Sequence, residues 1–324
     1  MYPSILKFTA VAAGLSPLAA PSFAAPALAA PSAVTTVQVA GESIQLPQDP
    51  TISPDGRTVA FGWQDDIWSA PIGGGEATRL TYHAGTDSDP MFSADGTEIY
   101  FTSDRSGRSQ IHVMPAAGGP ARQITTDSSR KSLRDVTSDG RYLLITQSTD
   151  RGWHYSEAAR AFLVDTQGEE PKRMLFDAGA ADAAMSPDGT KVLFVRGRSS
   201  PIRKGYAGPQ AAQLWLADLS TQPATLTRLD QDRERFQNIA SMSPMWGPDS
   251  QTYYFVSDPD GVFDIYEGKV GSKETRQVTN VGANGSDDGV FAPILSRNGS
   301  TFVMRHGFSL VSCDPKTGEV TPIE

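Results

Sequence analysis

Ser53-Pro54-Asp55-Gly56 recurs along the chain as Ser93-Ala94-Asp95-Gly96, Thr137-Ser138-Asp139-Gly140 and Ser186-Pro187-Asp188-Gly189. Two degenerate copies follow, Gly247-Pro248-Asp249-Ser250 and Arg297-Asn298-Gly299. With Asp55, Asp95, Asp139, Asp188, Asp249 and Asn298 as anchors, the spacings are 40, 44, 49, 61 and 49 residues. Six copies at such a period mean a propeller or a solenoid. The signature has a local cause. Pro presets φ at the first corner of a turn, Asp bonds backbone amides, and Gly takes the left-handed position. The anchors are therefore read as structural, not as catalytic or metal-binding residues.

Working outward, each anchor is followed by a β-rich run: Thr58–Phe61, Glu98–Thr102, Tyr142–Thr146, Lys191–Val195, Thr252–Val256 and Thr301–Met304. A second run follows in each repeat, from Ile67–Ala70 in the first to Ser309–Cys313 in the last. A third is short and Thr-rich, from Thr78–Thr81 to Val320–Ile323, and the segment before each anchor supplies a fourth. Four strands and no convincing helix per repeat make one propeller blade. The expectation is an all-β, six-bladed β-propeller of four-stranded antiparallel blades over residues 33–324. The last repeat has four strands of its own. Thr35–Gln45 could pair at the seam, although the pattern does not require it.

The N-terminus is unlike the rest. Lys7 is the single charge in residues 1–32, an apolar run covers Phe8 to Ala20, and small residues follow. This is a secretory signal peptide and leader in outline, with cleavage expected near Ala24 or Ala29, and it directs the chain to the periplasm or outside the cell. The run is too short for a transmembrane helix, so no membrane span is expected once it is removed. Cys313 is the one cysteine, so no internal disulfide can form, and its apolar-alternating surroundings read as inert packing. The net charge of −9 argues against a nucleic-acid partner, which needs a basic face.

Up-and-down strands put alternate loops on opposite faces, and the signature turns occupy one of them. Length variation falls almost entirely on the other. Blade 3 inserts Gln147–Arg160, with Trp153 and Tyr155, and blade 4 inserts Arg196–Ala212, with Arg198, Arg203, Lys204 and Tyr206. The connections Asp230–Met242 and Asn280–Ala292 are also long. Insertions on one face of a rigid scaffold are where function usually sits. The aromatic and Arg content favours a contact surface, so these six side chains are candidate peptide-binding residues. A peptide carboxylate would suit the Arg and Lys groups. Contacts with another domain of the polypeptide, or between copies in a homo-oligomer, are the alternatives.

No metalloprotease, Walker, dinucleotide or nucleophile-elbow pattern occurs. His83, His112, His154 and His306 are scattered, without metal-ligand spacing, and no metal or cofactor is expected. Asp258-Pro259-Asp260-Gly261 lacks the later ligands of a calcium loop and reads as a tight turn.

Asp65-Asp66-Ile67-Trp68, Gly74–Thr81, Ser103–Gly107 and Pro115–Gly119 resemble the repeats of TolB and tricorn propellers. The fourth blade is more discriminating. Arg203-Lys204-Gly205-Tyr206, through Gln213-Leu214-Trp215-Leu216 to Thr227-Arg228-Leu229, is similar to the tricorn-type blade with its R-K-G-Y-R-G insertion, departing at Ala207. The resemblance covers roughly residues 40 to 324. It implies the N-terminal propeller of a tricorn-type serine peptidase. In that family a second propeller, a PDZ domain and a serine-protease domain follow, and the first propeller is thought to filter or channel peptides. The family's catalytic Ser and His lie in those later domains, so none carries over to this chain. Peptides or unfolded segments, and further domains of the same polypeptide, are the implied partners. A stand-alone TolB-like periplasmic scaffold is the alternative, and a lactonase-like propeller enzyme with an axial metal is a remoter one.

Overall fold

In the computed structural model every signature turn joins the first two strands of a four-stranded antiparallel sheet. The structure describes residues 44–148, 159–197, 204–206, 208, 211–230, 236, 239–284 and 288–324. There are six such sheets, each with its strands in sequence order. The innermost strands are Gln48–Ile52, Asp87–Phe92, Lys131–Val136, Asp182–Met185, Ser241–Trp246 and Val290–Leu295. The last sheet runs from Val290–Leu295 to Val320–Pro322 and takes all four strands from the last repeat, as its sequence indicates.

The turns are built as their residue types dictate. Ser53 Oγ donates to Asp55 Oδ1 at 2.6 Å, the Arg57 amide donates to the same carboxylate at 3.1 Å, and the Thr58 amide donates to Ser53 Oγ at 3.0 Å. Blades 2, 3, 4 and 6 repeat this arrangement around Asp95, Asp139, Asp188 and Asn298. The hydroxyl of Ser93 and the amide of Thr97 hold the Asp95 carboxyl down to about 2. The turns also touch one another. A Cβ on Gly96 would lie 3.1 Å from Pro54 Cδ, and one on Gly299 would lie 2.8 Å from Pro248 Cδ. Both glycines have positive φ, so the position needs Gly twice over, for conformation and for space.

Each second strand is apolar without alternation, because a propeller sheet buries both faces. Val59, Ala60 and Phe61 illustrate this. Val59 and Phe61 pack toward blade 6, with Val303 and Leu310, and Ala60 packs toward blade 2, with Phe92 and Ile99. The other four blade interfaces have cores of the same kind. Phe236, in the long connection after blade 4, inserts edge-on against Phe255 and Tyr266 and is 1% exposed. The Thr-rich outer runs have a specific job. Thr81 Oγ1 accepts the Ile67 amide and donates to Asp66, and Thr125 and Thr279 do the same for Ile111 with Gln110 and for Ile265 with Asp264. These bonds tie the third strand to the end of the fourth.

Candidate functional site

Four innermost strands contain the same irregularity. The pairing register shifts between Gln48 and Thr51, Ser88 and Met91, Met242 and Met245, and Phe291 and Ile294. In each, a residue with positive φ precedes a proline: Asp49-Pro50 (φ 46°), Asp89-Pro90 (49°), Ser243-Pro244 (49°) and Ala292-Pro293 (48°). Proline cannot donate to the ladder and is tolerated in sheets at edges and bulges. The innermost strand is an edge that faces the axis. Left-handed backbone at a non-glycine residue is uncommon, and such strain concentrates at functional sites.

These bulges line an axial cavity of about 470 Å³. From the bulges to the signature turns is about five residues of strand, roughly 16 Å. At the bulge level Asp49 and Asp89 come from blades 1 and 2, while Arg134 of blade 3 forms an ion pair with Asp182 of blade 4 at 3.3 Å. Arg134 is fixed further by bonds from Nε to Thr146 Oγ1 (2.9 Å) and from Nη2 to the Ala181 carbonyl (2.8 Å). Asp49 is exposed to channel water yet deeply ringed by protein. That enclosure, with the nearby Asp89 charge, raises its carboxyl to about 6 against the pull of Arg305 and Arg134. Arg305 carries its guanidinium 5.4 Å above the Phe291 ring.

Innermost strands begin on the face opposite the signature turns, so this charged rim shares a face with the insertions. The blade-4 insertion is anchored there. The Gly205 amide donates to Asp258 Oδ2 at 2.5 Å, in the turn between the second and third strands of blade 5. The Asp258 carboxyl is pushed up by burial, opposed by this bond and by Lys204. The turn itself is the tight one its sequence indicates, closed by Gly261 N to Asp258 O at 3.0 Å. Tyr206 folds over Gly208, so closely that a Cβ there would overlap its Oη. The structure thus places Lys204 and Tyr206 on the insertion face beside blade 5. Trp153, Tyr155, Arg198 and Arg203 lie outside the described residues. Among the described residues no three His, Cys, Asp or Glu side chains are grouped to hold a metal ion.

Sequence reasoning from the turns missed the rim. Its signal was present: the signature extends upstream as Asp49-Pro50-x-x-Ser53 and Asp89-Pro90-x-x-Ser93, with Ser243-Pro244 and Ala292-Pro293 in register. A larger cavity of about 1120 Å³ lies between blades 6 and 1, against Trp68, Leu310 and the exposed Phe308. It shares no lining residue with the axial cavity.

A family model for the tricorn protease N-terminal β-propeller domain matches residues 44–319. The chain belongs to this family. It is 31% identical over 270 residues to tricorn protease homolog 1 of Streptomyces coelicolor, covering 82% of this chain and 23% of that protein. A putative tricorn protease homolog 2 of the same organism is 28% identical over 170 residues, half of this chain and 14% of the relative. The chain therefore spans under a quarter of the length of these tricorn relatives. Among solved structures, the tricorn protease matches with a TM-score of 0.69 at 21% identity, over 87% of this chain and 26% of that one. TolB from Acinetobacter baumannii matches with 0.60 at 15% identity, over 85% and 63%. At those identities the two structures speak for the fold of this tricorn-type propeller.

Proposed function

We propose that this propeller binds peptides for a tricorn-type serine peptidase exported to the periplasm, with the chemistry performed by further domains of that polypeptide. The observation that carries the reading is the axial cavity, whose charged, strained rim opens on the face that bears the insertions. A rigid concave site with a few placed polar groups is the usual form of a ligand pocket. Carboxylates at Asp49 and Asp89 suit an amine, and the basic insertion around Arg203 and Lys204 suits a carboxylate. Peptides carry both. Family membership supplies the context, since the relatives named as tricorn proteases are several times longer than this chain.

The test is peptide affinity by calorimetry or fluorescence anisotropy, with Arg203→Ala combined with Lys204→Ala, and separately Asp49→Asn combined with Asp89→Asn. Both variants should weaken binding; the insertion variant should leave the unfolding transition in place, and the Asp49→Asn, Asp89→Asn variant should not lower it. Unchanged affinity in both would remove the insertion face from the site.

A further inference from the structure

The repeat is broken at two places that meet across the axis. Five signature turns carry Pro54, Ala94, Ser138, Pro187 and Pro248 at their second position, and blade 6 has Arg297 there. Two residues before the signature, five innermost strands carry Thr51, Met91, Ala184, Met245 and Ile294, and blade 3 has Asp135. In a six-bladed ring, blades 3 and 6 face each other. Arg297 Nη2 donates to the Val136 carbonyl of blade 3 at 2.6 Å and lies 3.7 Å from Asp135 Oδ1. The Arg297 side chain therefore reaches across the axis at the signature-turn face.

Its landing point is held in place. Asp135 Oδ2 accepts the Met185 amide of blade 4 at 3.0 Å, and Oδ1 accepts the Val136 amide at 2.8 Å. The bond from a guanidinium to a carbonyl is charge-assisted, and the ion pair is partly shielded, its side chains 32% and 25% exposed. Around that end neighbouring signature turns approach one another at Pro54 and Gly96 and at Pro248 and Gly299.

We propose that Arg297 is a latch that shuts the channel at the signature-turn face, making it a one-mouthed pocket that takes the free end of a peptide and does not let a chain run through. The ligand class rests on the peptide-binding reading above; the closure does not. An internal segment entering a pocket closed at one end must fold back on itself, and a cavity of about 470 Å³ leaves little room for two strands of chain. A free end enters singly, and about 16 Å of depth holds some four or five extended residues.

Two experiments separate the parts. In the first, Arg297→Cys is combined with Ser138→Cys, an exposed blade-3 residue on the channel lining, and treated with a bis-maleimide about as long as an arginine side chain. The expected result is an intramolecular cross-link across the axis. If both thiols label singly and do not join, the latch is overturned, whatever peptides do. In the second, an Ala/Ser/Val peptide of roughly fifteen residues, ~50 Å when extended, carries a folded domain at its carboxyl end and biotin at its amino end. Streptavidin added to the complex should drain it from the wild-type protein, because the biotin is reachable only on released peptide. With Arg297→Ala the biotin should emerge at the far face, and streptavidin should lock the complex. Locking in the wild type would overturn the one-mouthed pocket. Failure of both proteins to hold the peptide would overturn the peptide reading, with the cross-link still deciding the latch.

Discussion

Gly299 and Gly189 occupy the same position of the signature turn and differ in what stands beside them. Their φ values are +72° and +70°, so an alanine at either must adopt the left-handed conformation. That costs roughly 1–2 kcal/mol at each. At Gly189 no atom lies within 4 Å of the added Cβ, whereas at Gly299 the Cβ would meet Pro248 Cδ at 2.8 Å and Cγ at 2.9 Å. The proline ring is stiff and belongs to the neighbouring blade, so relief requires moving one signature turn against another. Forced overpacking of this kind costs about 1–3 kcal/mol more. Gly189→Ala should therefore destabilise by about 1–2 kcal/mol, and Gly299→Ala by roughly twice that. Urea unfolding followed by circular dichroism measures both, with the wild-type slope as a check that the same surface is exposed. Equal losses would refute the argument that Pro248 braces the blade-6 turn, because the backbone term alone would then account for both.

Asp49 gives a pH prediction with a definite sign. Its carboxyl is raised from 3.8 to about 6 in the folded chain, so ionising it penalises the fold. The penalty is absent below about pH 4, where both states are protonated, and complete above about pH 6. Asp49→Asn should gain stability relative to wild type as pH rises through that window, read from thermal midpoints at several pH values; a constant difference would contradict it. Asp258→Ala removes the acceptor of the Gly205 amide and should speed tryptic cleavage after Lys204, followed by mass spectrometry, while cleavage elsewhere is unchanged. Trp246→Phe strips the Nε1 bond to the Ala184 carbonyl of blade 4 (3.1 Å) and should cost about 0.5–1.5 kcal/mol in urea unfolding, the net value of one hydrogen bond, since Ala184 stays paired with Leu193. Cys313 is 1% exposed and its thiol is pushed up to about 12 by burial, so it should resist thiol reagents in the native protein and react once urea unfolds it.

The fold was legible because its information is local. Pro, Asp and Gly at fixed offsets define the turn, and the apolar runs beside them have no choice but to be strands buried on both faces. Even the four-stranded last blade could be read, from the segment before Asn298 to Ile323. The site was less legible for two physical reasons. The channel rim depends on which residue of a bulge turns toward the axis, and a bulge is a tertiary compromise that alternation does not announce. Asp49 and Asp89 carry no mark in the alternation pattern; the register shifts at Asp49-Pro50 and Asp89-Pro90 put them on the channel lining. Arg297 was visible as a departure from the signature, but its meaning lies in Asp135, over 160 residues earlier, and only ring closure puts them opposite each other. Lys204 and Tyr206 were singled out from loop placement alone. The anchor that holds their segment, Asp258, was read as a turn residue alone.

The most direct test of the account is a photo-cross-linking map made with a peptide that carries a benzophenone side chain near its amino end. Tryptic mass spectrometry would locate the adducts. The account predicts labelling of the innermost strands around Asp49–Ile52 and Asp89–Phe92, with further adducts near Lys204–Tyr206. Saturable labelling confined to the outer strands or to the signature turns would contradict it, because the peptide would then be held by a surface other than the rimmed axial pocket.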